Sequence, residues 1–100
     1  MNAIINTSNE SGRVARELQI QNKRGLHLRL AGEIAKVAMH YSAEIKLVTG
    51  GRVADAKSAL ALLTLAAAPG SKILVVGEGC DASEAVDFLV DYIIKYDSEK

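Results

Sequence analysis

A single cysteine in 100 residues cannot close an internal disulfide or supply a thiolate cluster for a metal, so stability must come from packing. Cys80, in Gly-Glu-Gly-Cys with no catalytic partner nearby, reads as a small thiol in a turn. Net charge is missing too: 12 basic residues against 12 acidic ones leave no global field to gather nucleic acid or an anionic membrane. Long hydrophobic runs are absent. The longest, residues 59–63 and 65–69, fall far short of a bilayer span, and the first residues lack the charged-then-apolar layout of a secretory signal, which points to the cytoplasm. No glycine-rich phosphate loop follows a strand, no metal-ligand cluster exists, and no second titratable residue lies within local spacing of His27 to act as its base. A small enzyme is therefore a poor reading, and neither a metal nor another cofactor is expected.

What is present suffices for one domain, since 49% of the side chains are hydrophobic and only one residue is proline. Residues 1–12, rich in Asn, Ser and Thr with no sustained period, are expected to form a flexible leader, and 13–100 the domain. Val14, Arg16, Leu18 and Ile20 alternate with Ala15, Glu17, Gln19 and Gln21, the pattern of a half-buried strand. After a polar turn at 22–25, Leu30, Ala31, Ile34, Ala35, Ala38 and Tyr41 recur at helical spacing over 28–41. A strand over 43–49, the flexible pair Gly50-Gly51 and a return arm over 52–55 make a hairpin. A second helix is predicted over 58–67, stopped by Pro69-Gly70, and the apolar run 72–76 reads as a strand paired on both edges at the centre of a sheet. Asp81-Ala-Ser-Glu84 resembles a capping box that opens a last helix over 81–96, with Ala82, Ala85, Val86, Leu89, Ile93 and Tyr96 on its apolar stripe. The order β-α-β-β-α-β-α predicts an α+β fold, a four-stranded sheet with helices on one face. A ferredoxin-like plait is the nearest competitor, because periodicity cannot settle strand order.

The chemistry concentrates in residues 25–32, Gly-Leu-His-Leu-Arg-Leu-Ala-Gly, where the first loop becomes a helix. His27 falls where the first free N–H groups of the helix point, with the positive end of the helix dipole behind them. Arg29 sits in the first turn and Arg24 lies three residues before His27, so two guanidinium groups can approach one region. A phosphoryl group carried on the imidazole would meet donors and cations together, which suits a transient phosphohistidine. The same residues also fit an ordinary helix start: a histidine there is commonly a cap or a surface residue, and an arginine in the first turn is slightly disfavoured by the dipole.

Two separate motifs and a late element resemble the HPr family, the histidine-containing phosphocarriers of the bacterial phosphotransferase system. The family's Gly-Leu-His-Ala-Arg-Pro-Ala appears as Gly25-Leu26-His27-Leu28-Arg29-Leu30-Ala31, its Ala-Lys-Ser as Ala56-Lys57-Ser58, and its late Gly-x-Asp-Ala as Gly79-Cys80-Asp81-Ala82. The resemblance covers about residues 13 to 96. It implies an open-faced sandwich of four antiparallel strands with three helices on one side. It further implies that His27 carries the phosphoryl group, that Arg29 steadies it, and that the protein is a carrier rather than an enzyme. Enzyme I, dependent on phosphoenolpyruvate, would be the donor and an EIIA-type domain the acceptor. Sugar uptake and a regulatory branch are both compatible with the sequence.

Two departures flank the active pair. Leu28 replaces a small alanine and adds apolar bulk at the docking face; Leu30, assigned to the same face, replaces a proline, which should lower preorganisation by ~0.4–1 kcal/mol and leads to the expectation that Leu30→Pro changes transfer more than stability. Ser58 is an N-cap candidate, and in many relatives the serine here is phosphorylated by a dedicated HPr kinase/phosphorylase. Ala59, Leu60 and Leu63 lie where the family exposes apolar residues to its partners, with one of the two leucines expected outside and one inside. Lys23, Arg24 and Lys57 are expected to rim that patch, although solvated charge explains Lys23 as well, and His40 is read as a surface residue. A monomer is the simplest state for a carrier whose partners must reach His27. The alternative function is a regulatory module controlled through Ser58 with His27 slow or idle, and Leu30 keeps it open.

Overall fold

Alternation in the first strand sets the inside of the molecule: Leu18 and Ile20 are 6% and 1% exposed, while their neighbours Glu17 and Gln19 face solvent. The structure, a computed structural model, describes residues 12–98. Its elements are β1 (Arg13–Gln19), α1 (Leu28–Ala38), β2 (Glu44–Thr49), β3 (Arg52–Asp55), α2 (Ala59–Thr64), β4 (Lys72–Glu78) and α3 (Ala82–Ser98). Of the expected leader, residues 1–11 lie outside the described part; Gly12 is inside it, and its carbonyl accepts from Gly79 N at 2.9 Å.

The strands form one antiparallel sheet in the order β1-β4-β2-β3. The run at 72–76 is therefore central, as its unbroken apolar character predicts, and the strand is longer, reaching Glu78. With β1 at an edge, the ferredoxin-like plait is set aside. Register aligns Arg16, Val75, Leu47 and Ala54 across the four strands, and the last three of these are buried against the helices. All three helices cover this face: α3 packs on β1 and β4, α2 on β3, and α1 on both other helices. Gly77 permits the close approach of α3, since a Cβ there would stand 2.7 Å from the Val86 side chain. The opposite face is wet, carrying Lys46 and a 37% exposed Leu74. This is the open-faced sandwich.

Two helices stop short of their apolar patterns. Helix α1 ends at Ala38 rather than at 41, and α2 ends at Thr64, before Pro69-Gly70 is reached. The end of α2 tightens through Leu65 N to Leu62 O and Ala66 N to Leu63 O, after which Ala66 turns left-handed with φ 50°. That turn frees the Ala67 carbonyl to accept from Leu26 N at 2.8 Å. A tertiary bond thus overrides the local stop signal. The side chain of Asp81, expected to open α3 as a cap, reaches across the fold to accept from Ser42 N at 2.9 Å and Ala43 N at 2.8 Å. The Ser42 N–H contributes most to holding the Asp81 carboxyl below the ordinary carboxylate range; desolvation opposes it, and Ala43 N–H and the Lys57 charge add to it.

Candidate functional site

The loop that delivers His27 is locked by its own backbone. Asn22, only 5% exposed, accepts from Arg24 N on its Oδ1 at 2.9 Å and from Gly25 N on its carbonyl at 3.3 Å. Gly25 adopts φ 67°, and a Cβ there would stand 2.3 Å from the Ala67 carbonyl oxygen, so no side chain fits. His27 then takes extended φ and ψ as the N-cap of α1, and its carbonyl accepts the first intrahelical bond, from Ala31 N at 2.9 Å. Its side chain makes no cap bond, so the N–H groups of Leu28, Arg29 and Leu30 open the helix without help from the imidazole. The first turn holds no acidic residue.

His27, half-buried, lines a cleft of about 280 Å³ with Asn22, Lys23, Arg24, Arg29 and Tyr96. Three of these side chains are cationic and, among the described residues, no carboxylate lines the cleft. The Tyr96 hydroxyl is 3.3 Å from His27 Nε2, and the two rings are tilted by 48° with centroids 5.9 Å apart. An imidazole at a helix N-terminus, walled by guanidinium and ammonium groups, is suited to hold a dianionic phosphoryl group beside the ring. Among the described residues, no cluster of three or more His, Cys, Asp or Glu side chains is placed to hold a metal ion.

The expected cluster of His27, Arg29 and Arg24 does form, and Lys23 joins it. Leu28 is 69% exposed beside it and Leu60 77% exposed on α2, while Ala59 and Leu63 are half-buried against the core. Of the leucine pair Leu60 and Leu63, the first is outside as expected; the fully buried leucine of α2 is Leu62. One expected docking residue is corrected. Leu30 is wholly buried, because the helical phase that it shares with Ala31, Ile34 and Ala38 turns it into the core. Lys57 is absent from the cleft: its Nζ donates to the Tyr41 carbonyl at 2.8 Å, beyond the far end of α1. Ser58 caps α2, with Oγ accepting from Ala61 N at 3.1 Å. His40 is exposed, with Nδ1 2.9 Å from Lys36 O, and Cys80 is an exposed thiol in the turn before α3.

Tyr96 is the residue that sequence reasoning assigned elsewhere, as the last apolar position of the α3 stripe. It lies 69 positions from His27, beyond any local spacing. The only hint is that the stripe ends on a side chain with a hydroxyl.

Comparison with known proteins places the cleft in a family context. The model of the family PTS-HPr, described as the PTS HPr component phosphorylation site, matches residues 14–95. The chain is 41% identical over 75 residues to phosphocarrier protein NPr of Shewanella violacea, covering 75% of this chain and 82% of that one. It is 36% identical over 78 residues to phosphocarrier protein HPr of Cupriavidus necator, covering 78% and 88%. The crystal structure of phosphocarrier protein HPr from Bacillus anthracis superposes with a TM-score of 0.76 at 34% identity, covering 80% of this chain and 95% of the other.

Proposed function

Because the chain belongs to the PTS-HPr family, whose members are phosphocarriers and not enzymes, we propose that His27 is its phosphoryl acceptor. In this reading a phosphoenolpyruvate-dependent Enzyme I loads His27, and an EIIA-type domain unloads it. The observation that carries the reading is the cleft itself: an N-cap histidine whose side chain makes no cap bond, facing Arg24, Arg29 and Lys23. One nitrogen of the neutral imidazole attacks phosphorus, and the cations and helix N–H groups meet the charge that arrives. In-line transfer asks for positioning and charge more than for a base, and the described residues of the cleft supply three cations for it.

Leu28 and Leu60 offer apolar contact to such partners, and Lys23 and Arg24 would steer acidic surfaces toward them. Among the described residues no helix is long and apolar enough to cross a membrane, and a cytoplasmic relay fits this role. Ser58 would be the regulatory position, addressed by an HPr kinase/phosphorylase; peptide mapping after incubation with that kinase tests it, and an unmodified Ser58 peptide counts against regulation.

The deciding assay mixes the protein with Enzyme I and phosphoenolpyruvate and reads intact mass beside a His27→Ala control. The expected result is an acid-labile gain of one phosphoryl group in the parent chain alone. No gain with the host's own Enzyme I would overturn the carrier reading in favour of a regulatory module.

A further inference from the structure

Helix α3 sends two hydroxyls to α1, one to its middle and one to its N-cap. Tyr92 donates to Glu33 Oε1 at 2.9 Å, and one turn later Tyr96 stands 3.3 Å from His27 Nε2. The first bond fixes how α3 lies against α1; the second places a phenol oxygen beside one of the two imidazole nitrogens. We propose that Tyr96 is a positioning residue for phosphoryl transfer: its oxygen accepts the Nε2–H of His27, which selects the ring tautomer and orients Nδ1 as the nucleophile. The inference rests on the carrier reading of His27.

Neutral imidazole exists in two tautomers, and an acceptor at Nε2 favours the one protonated there, which leaves the lone pair on Nδ1. In the transfer step that lone pair forms the N–P bond, while the bond from phosphorus to the donor's leaving atom breaks and its electron pair departs with the donor. The Nε2 proton stays on the ring. The product is therefore a phosphoimidazolium, whose positive charge strengthens the hydrogen bond from Nε2–H to the Tyr96 oxygen as the reaction proceeds. An interaction that grows along the reaction coordinate accelerates it, whereas one of constant strength would only stabilise the resting site. The tilted contact of the two rings, with centroids 5.9 Å apart, packs the phenol against the imidazole and limits its rotation.

The test is Tyr96→Phe, which keeps the ring contact and removes the oxygen. Two quantities are measured on parent and variant: the rate of phosphorylation by Enzyme I in rapid quench, and the nitrogen chemical shifts of the His27 ring while it is neutral. The expected outcome is a transfer rate about 3- to 10-fold lower in the variant, the worth of one hydrogen bond, with the Nε2–H tautomer dominant in the parent and mixed in the variant. A merely structural tyrosine would change the melting temperature without changing the tautomer. Equal rates and equal tautomers would overturn the inference while leaving the carrier reading intact. A parent chain that takes no phosphoryl group from its own Enzyme I would overturn both.

Discussion

At the scale of single residues, the stretch around His27 divides its work by helical phase. Leu28 and Arg29 point outward, and Leu30 points in, although all three follow the histidine directly. The family's proline at position 30 invites the thought that its loss here matters mainly for catalysis. Burial says otherwise: a leucine with no exposed surface is part of the core, and Leu30→Ala should cost about 2–5 kcal/mol in urea unfolding. Leu30→Pro also removes buried volume, so it too should lower the urea midpoint, which weighs against the expectation that transfer would respond more than stability. Arg29→Ala should do the reverse. Its exposed guanidinium contributes little to folding, yet the loss of a charged hydrogen-bond donor to the phosphoryl group should slow transfer about 10-fold or more in rapid quench. Unchanged transfer in Arg29→Ala would show that the other cations of the cleft suffice.

At the scale of elements, short segments lean on their ends. Helix α2 has six residues, too few to persist on propensity, and its cap is one of the bonds that define it. Ser58→Ala should therefore cost about 1 kcal/mol by chemical denaturation, and Ser58→Asp, which keeps an acceptor at the N-cap, should cost less. Equal losses for both would mean that the cap bond is not what the helix uses. The loop before α1 depends on Gly25 in the same way. Gly25→Ala forces a Cβ onto the Ala67 carbonyl and should both destabilise the fold, by about 1–3 kcal/mol, and slow phosphorylation, because the same loop carries His27. The elements themselves were readable from sequence wherever period and burial agree: the alternation of β1, the stripe of α3 and the apolar run of β4 each predicted their place. The end of α2 was not, because the bond from Leu26 N to Ala67 O and the left-handed Ala66 belong to the assembled molecule.

At the scale of the whole molecule, long-range polar bonds tie the layers together. Asp81 at the head of α3 holds the backbone that leads into β2, and Arg16 of β1 pairs with Asp87 of α3 at 2.8 Å. The second lies on the surface and is worth little. The first makes stability depend on pH. The folded carboxyl of Asp81 titrates below its ordinary value of 3.8, so its contribution is complete at neutral pH and is lost as the pH falls through the folded value. Melting curves across acidic pH should show Asp81→Asn less stable than the parent near neutrality, with the gap closing toward strong acid; a constant gap would show that the charge is not the reason. The cleft was legible in the same partial way. His27, Arg24 and Arg29 lie within six consecutive residues and announced themselves, while Tyr96 could be found only once the sheet had brought α3 back across the first loop.

That separation has a consequence for how the protein is made. A ribosome that has just added Arg29 has already produced the histidine and all three cations of the cleft, yet the phenol stands 69 positions beyond the histidine. A chain still in synthesis, or clipped within α3 before Tyr96, therefore displays the motif without the completed cleft. Arranged in this way, the site reports that the chain has been built as far as α3.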